Sequence, residues 1–347
     1  MPPEPLYFDH AATTPLLPQA REAWLEGVAR WANPSSPHAA GRAARAALED
    51  ARDRVRTALG WTGEVLFTSG ASEALAIGLG RAKVERRIVS AVEHDAVWRA
   101  APGAEVIGTR AGEVERDALA TLLAQPGRAV VAVQSINSET GTCLTSRDLG
   151  EQVRAAGGLF LSDCSQSAGK MPLPDADLAV VSAHKLGGPP GIGALLVRDF
   201  AMLEPSGGQE RGYRAGTENL PGALGVAAAL EAGDIVSWAT TTEQRLAFRE
   251  ALARCGEIIE PGRQCSHIFA VAGRSAANTM LIRMDSAGFA ISAGSACSSG
   301  TLKPSRVLQG FDLDPDVIRR TVRVSLGWST TPAELDAFAD AWDRANR

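Results

Sequence analysis

EVLFTSGASEAL, residues 64–75, joins an unbroken apolar run to a helix-compatible segment through Ser69 and Gly70. Such a passage reads as a strand that turns through a glycine straight into a helix. Similar apolar runs recur downstream as RIVSAV (87–92), AVVAVQ (129–134), LFLSD (159–163), LAVVSA (178–183) and GALLVR (193–198). Most are separated by helix-compatible sequence, and strands alternating with helices imply right-handed crossovers and a mainly parallel sheet buried on both faces. The expected class is therefore α/β. The last pair is linked by the Gly/Pro-rich HKLGGPPGIG (184–193), which leaves open a direct turn and an antiparallel pairing.

Upstream, AAGRAARAALEDARDRVRTALG (39–60) sets Ala44, Ala47, Leu48, Ala51, Val55 and Leu59 at helical spacing and ends on Gly60, a natural residue to follow a helix. LPGALGVAAALEAG (220–233) is too short to span a membrane and reads as a buried helix. After about residue 230 the rhythm changes to a helical pattern (242–254), then CSHIFAVAG, NTMLIRM, a cysteine-bearing loop, TVRVSLG and a terminal helix. The expected division is a large domain over 15–230 and a smaller α+β domain formed by 1–14 with 231–347, the latter carrying the cysteine loop.

With 347 residues, 45% of them apolar and 22% charged, the chain has ordinary globular composition. A net charge of -5 with scattered arginines offers no field for nucleic acid. MPPEPLYFDHAATTP lacks the basic and apolar regions of a signal peptide, so the expected location is cytoplasmic, with no membrane role. Five cysteines, an odd number, argue against a disulfide framework. Cys143, Cys164, Cys255 and Cys265 have no CxxC or Cys/His spacing, so no metal site is expected and packing is their leading role.

In open parallel sheets ligands gather beyond the carboxyl ends of the strands. The residues there are Ser69-Gly70-Ala71-Ser72, Glu93-His94, Asn137-Ser138-Glu139, Asp163 with Gln166, and Ser182-Ala183-His184-Lys185. Singly, each has an ordinary explanation: a helix cap, a core histidine, a turn carboxylate, a solvated lysine. Together they describe an anion cradle at a helix N-terminus, a carboxylate for a ring nitrogen and a lysine able to act as a nucleophile, the three anchors of pyridoxal 5′-phosphate.

The stretches YFDHAATTP, NPSSPHAAGRAARAALEDAR, FTSGASEAL, VEHDAV, DCSQSAGKMPL, SAHKLGGPPGIGALLVR, GGQERGYRAGTEN, GSACSSG and RVSLGWSTTPAELD, in this order, resemble the NifS/IscS-type cysteine desulfurases. These are class V, fold-type I pyridoxal phosphate enzymes, and the resemblance runs from about Tyr7 to the last helix. It implies a seven-stranded, mainly parallel sheet flanked by helices. It also implies a covalent aldimine on Lys185, His94 stacked on the ring, Asp163 at the ring nitrogen and Gln166 at the phenolic oxygen. Ala71, Ser72, Ser182, His184 and Thr217 match phosphate-binding positions, with Thr217 reaching across a homodimer to the partner's cofactor. Asn137 and Ser138 neighbour substrate and cofactor, and Arg323 matches the clamp for the substrate carboxylate, a task suited to a guanidinium fork.

Cys297, in GSACSSG, matches the cysteine that takes sulfur from L-cysteine as a persulfide, releasing L-alanine and passing sulfur to an acceptor such as an iron–sulfur cluster scaffold. Small residues around it suit a thiol that must reach outward, and its deprotonation is expected to involve His94. Three features depart from the family pattern. Ser138 replaces the second asparagine of NNETG, His10 stands where many members have asparagine, and the chain is trimmed over about 231–290 and after AWDRANR, where the IscS branch carries a scaffold-docking tail. A selenocysteine lyase, or another lyase using the same cofactor, is the nearest alternative. A non-catalytic assembly partner is a more distant one.

Overall fold

The computed structural model describes residues 5–145, 147–293 and 305–347. Its main sheet comprises β1 (Glu64–Thr68), β2 (Arg86–Ser90), β3 (Glu105–Ile107), β4 (Ala129–Ala132), β5 (Leu159–Asp163), β6 (Leu178–Ser182) and β7 (Gly193–Val197). The strand order is β1-β7-β6-β5-β4-β2-β3. Every neighbouring pair is parallel except those of β7, which runs antiparallel to both β6 and β1. The open question about the last pair is thus settled by a turn: the link 183–192 is shorter than the roughly dozen residues a parallel crossover takes. β3 is an edge strand that periodicity could not announce. It is three residues long and its Val106 is 49% exposed.

Among the helices that pack on this sheet are α1 (Pro18–Arg30), α2 (Ala39–Ala58), α3 (Ala71–Gly80), α4 (Asp95–Ala100) and α5 (Leu220–Ala232), with the helices Arg116–Leu123 and Arg147–Ala155 bringing Leu119 and Val153 against Ile88, Val131 and Phe160. Side chains alternate across each strand, so Val65 and Phe67 of β1 meet the α1, α2 and α5 side while Leu66 faces α3 and α4. That double burial is why the strands read as unbroken apolar runs. In α2 the positions Ala44, Ala47, Leu48, Ala51 and Val55 are buried as expected, and Gly60 adopts φ +61 just beyond the helix. Arg52 is buried among them, which spacing alone did not foretell. The helix α5 is covered almost all round, and a Cβ at Gly27 would lie 2.5 Å from Pro221 Cα, so α1 and α5 cross at a distance only glycine permits.

A second, antiparallel sheet has the order β8 (Glu257–Ile259), β9 (Ile268–Ala272), β10 (Thr321–Ser325). It is covered by α6 (Thr242–Ala253), α7 (Ala277–Ser286) and α8 (Pro332–Ala345), with Thr241 and Thr331 forming capping boxes at α6 and α8. NTMLIRM lies within α7, where Met280 and Met284, one turn apart, point inward and Ile282 is 68% exposed. Leu6–Tyr7 pairs with Phe289–Ala290, and Phe8 stacks against Phe338 at 4.5 Å, so the start of the chain packs with its last third. Among the described residues no helix is long and apolar enough to cross a membrane.

Candidate active site

A cavity of about 430 Å³ opens beyond the carboxyl ends of β1, β4, β5 and β6. The register assembles it, because Gly193 of β7 lies opposite both Thr68 and Ser182 and so brings the Ser69–Gly70 turn beside the Ser182–Lys185 turn. Ala71, Ser72, His94, Ser138, Asp163, Gln166, Ser182, His184 and Lys185 all line this cavity. Gly70 has φ +149, and a Cβ there would meet nothing within 4 Å, so the turn presents bare backbone to the cavity. The helical ladder of α3 begins with Ala74 N donating to Gly70 O at 3.1 Å, which leaves the earlier amides of Ala71, Ser72 and Glu73 outside it. The Glu73 carboxylate turns back to accept from Ser69 N at 2.5 Å and is held by Arg214 Nε at 3.1 Å. An anion in the turn therefore meets backbone donors, with the neighbouring acid already paired.

Lys185 ends a single 3₁₀ turn, Ala183–Lys185, anchored where Thr14 N donates to His184 O at 2.9 Å. Burial and then the Lys185 charge push His184 down to about 4. The same causes push His94 below its usual range. His94 Nδ1 accepts from Ala96 N at 3.1 Å as the cap of α4, so the neutral ring carries its proton on Nε2. Asp163 is held by Ser165, whose N and Oγ donate to Oδ1 at 2.9 and 2.5 Å. Gln166 Nε2 donates to Ala11 O at 2.9 Å while its buried Oε1 has no hydrogen-bond partner among the described residues. Behind the wall, Glu93 Oε1 accepts from Ser90 Oγ at 2.5 Å and Gln134 N at 2.9 Å, and burial pushes this carboxyl up to about 8. Ser165 and Gln134 also line the cavity and carried no sequence signal beyond nearness to a strand end.

Residues 6–338 match the family model described as aminotransferase class-V. The chain is 37% identical to a cysteine desulfurase of Frankia sp. (strain EuIK1), over 98% of this chain and 91% of that protein. It is 34% identical to a cysteine desulfurase of Cereibacter sphaeroides, over 97% and 94%. The chain belongs to the NifS/IscS-type cysteine desulfurases. Its fold agrees with theirs: a NifS-like protein from Rickettsia africae ESF-5 superposes with a TM-score of 0.86 at 25% identity, over 99% of both chains. The mixed seven-stranded sheet flanked by helices is that of fold-type I.

Not every expected residue of this desulfurase reaches the cavity. Asn137 is buried beside the wall: Nδ2 donates to Val92 O at 3.1 Å, and Oδ1 accepts from Glu139 N and Thr140 N, each at 2.9 Å. Ser138, the departure from NNETG, lines the cavity, and its carbonyl accepts from Arg323 Nη1 at 3.0 Å. Arg323 lies on β10 and is buried, and Thr217 is exposed outside the cavity wall. Cys297 lies outside the described residues. Cys143, Cys164 and Cys265 are buried, and burial pushes Cys164 and Cys265 up to about 12, which leaves both thiols protonated. Cys255 packs, partly buried, against the core of the second sheet, and its Sγ also donates to Asp343 Oδ1 at 2.8 Å.

The wall suits a phosphorylated pyridine aldehyde: bare backbone at Gly70 for the phosphate, an oriented carboxylate at Asp163, and a buried side-chain oxygen at Gln166 without a hydrogen-bond partner among the described residues.

Proposed function

We propose that this desulfurase holds pyridoxal 5′-phosphate through Lys185 and converts L-cysteine to L-alanine, keeping the sulfur as a persulfide on Cys297. The observation that carries this reading is the convergence of Lys185, Asp163, His94 and the Gly70–Ser72 turn, from separate strand ends, on one cavity. The amides of Ala71 and Ser72, with the side chains of Ser72, Ser182 and His184, hold the phosphate. Asp163, oriented by Ser165, takes the ring nitrogen, Gln166 lies toward the phenolic oxygen, and His94 covers the ring face. Bound pyridoxal phosphate supplies an electron sink for the substrate's α-carbon. Lys185 would move the Cα proton, with its amine partly desolvated by the neighbouring cavity wall. Arg323 binds the substrate carboxylate.

As the Cys297 thiolate attacks the substrate sulfur, an S–S bond forms and the substrate Cβ–S bond breaks. The electron pair of that bond stays with the carbon skeleton, which takes up protons and leaves as alanine. His94 fits poorly as the base for Cys297, because its Nδ1 is occupied by Ala96 N and its Nε2 carries the proton. Its role is therefore confined to the ring face. We place residues 15–230 in a cofactor-binding unit and 1–14 with 231–347 in a smaller unit that carries Cys297. We further propose a cytoplasmic homodimer in which Thr217 reaches the partner subunit's phosphate, with a sulfur-acceptor protein such as an iron–sulfur scaffold as client.

Borohydride reduction of the holoenzyme followed by peptide mapping should label Lys185, and Cys297→Ser should still bind cofactor and cysteine yet lose both alanine release and protein-bound sulfane sulfur. Label on another lysine, or alanine release by Cys297→Ser near the wild-type rate, would overturn the reading.

A further inference from the structure

Arg323 is held by Asp9, an acid outside the expected set of site residues. Its Nη2 donates to Asp9 Oδ1 at 2.7 Å and its Nη1 to Ser138 O at 3.0 Å, while its buried Nε has no hydrogen-bond partner among the described residues. The second Asp9 oxygen accepts from Ser292 Oγ at 2.8 Å. The main chains of Ser292 and Arg323 also exchange hydrogen bonds, of 2.7 Å from Arg323 N and 3.3 Å from Ser292 N. Ser292 stands two positions before Gly294, where GSACSSG begins. Beyond that stretch, Ser305 Oγ donates to Glu139 Oε2 at 2.6 Å and accepts from Leu308 N at 3.1 Å. Glu139 follows Ser138 directly, the residue whose carbonyl Arg323 holds.

A serine near each end of the cysteine stretch is therefore hydrogen-bonded to a carboxylate. One of those carboxylates is ion-paired with Arg323, and the other is a single residue from the carbonyl that Arg323 grips. Hydrogen bonds to ionised groups are the short, strong and directional class, and a buried arginine fork fixes its partners in a plane.

We propose that Asp9 is a positioning residue that presets Arg323 for the substrate carboxylate, and that Asp9 through Ser292 and Glu139 through Ser305 fix the spacing between that clamp and both ends of the Cys297 stretch. Carboxylate recognition and sulfur transfer are then geometrically linked. The inference rests on the roles given above to Arg323 and Cys297.

The test uses holoenzyme of the wild type, Ser292→Ala, Ser305→Ala, Asp9→Asn and Arg323→Ala. L-alanine, titrated by the absorbance change of the bound cofactor, probes the clamp without sulfur. Mass spectrometry of Cys297 during a single turnover with L-cysteine probes transfer. Both serine variants should bind L-alanine within about twofold of wild type yet form the Cys297 persulfide about tenfold more slowly, the effect of losing one charge-assisted hydrogen bond. Asp9→Asn should weaken L-alanine binding and slow persulfide formation, each by about tenfold. Serine variants that form persulfide at the wild-type rate would overturn the proposal, as would parallel loss of L-alanine binding and transfer in both, the sign of general damage. If the wild type places no sulfur on Cys297, or Arg323→Ala keeps full L-alanine affinity, the underlying reading falls and takes this inference with it.

Discussion

Glu210→Gln should destabilise the protein far more than its place in the loop GGQERGYRAGTEN suggests. The Glu210 side chain is fully buried against Arg52, itself 4% exposed. Its oxygens accept from Arg52 Nη1 at 2.7 Å, Arg52 Nη2 at 3.2 Å and Phe67 N at 3.0 Å. Breaking a buried pair by removing one charge costs roughly 3–5 kcal/mol, because the other charge is stranded. Here the lower end applies, about 3 kcal/mol, since Arg52 Nε keeps the half-exposed Glu49 at 3.2 Å. For 347 residues an unfolding entropy near 2.1 cal/mol/K per residue gives about 0.7 kcal/mol per degree, so the melting temperature should fall by about 4 °C. Calorimetry of wild type, Glu210→Gln, Arg52→Met and the double variant forms a cycle in which the double variant recovers stability relative to Glu210→Gln, its stranded charge gone. Cofactor affinity should fall with stability in Glu210→Gln, because the loop also carries Arg214, the partner of Glu73, and the pair secures β1 just before the Gly70 turn. A single variant melting within about 1 °C of wild type, or a double variant below the single, would refute the reasoning.

His10, with both ring nitrogens bonded to Thr14 and Thr330, is pushed by burial and then by Lys170 from 6.5 to about 4. Between those values the unfolded ring binds a proton that the folded ring refuses, so stability drops as pH falls through the window, by about 3 kcal/mol in all. Urea midpoints at pH 7 and pH 5 should show this loss reduced in His10→Asn, and an unchanged slope would count against it. Ser138→Asn restores the family residue on a backbone already fixed by Arg323, and should tighten cofactor binding by roughly twofold to tenfold in equilibrium dialysis, one added hydrogen bond's worth; weaker binding would show that the site is built around serine. Mixing inactive Lys185→Ala with inactive Thr217→Ala subunits should regain activity through hybrid dimers, whereas a fully active monomer on sedimentation would remove the shared-site proposal.

Much of the site was legible because this fold places chemistry directly after strands, and local order in the chain is enough to mark those points. The passage from Phe67 through Gly70 to Ser72, Asp163 at the end of β5 and Lys185 after β6 all sit where a strand stops, so a reader of apolar runs meets them in sequence. The helix over 39–58 and its stop at Gly60 were equally local facts, set by spacing and by the one residue that tolerates φ +61 without strain.

Local sequence could not say how strands pair or which buried polar groups find each other. The antiparallel insertion of β7 between β1 and β6 comes from hydrogen bonding across the sheet, and it is what sets the Gly70 turn beside Lys185. β3 is too short to declare itself before β2 offers it an edge. The partners of Asn137, Val92 O and the amides of Glu139 and Thr140, include one 45 positions away that no local pattern announces. His94 Nδ1 meets its partner, Ala96 N, only where α4 begins. Asp9 and Arg323 stand 314 positions apart, and no periodicity relates them. The sequence by itself determined the apolar pattern, the glycine turns and the order of the chemical groups, which depend on near neighbours along the chain. Only the tertiary structure decided their partners, because a hydrogen bond or ion pair is chosen by distance in space after the long-range pairing of strands has brought remote segments together.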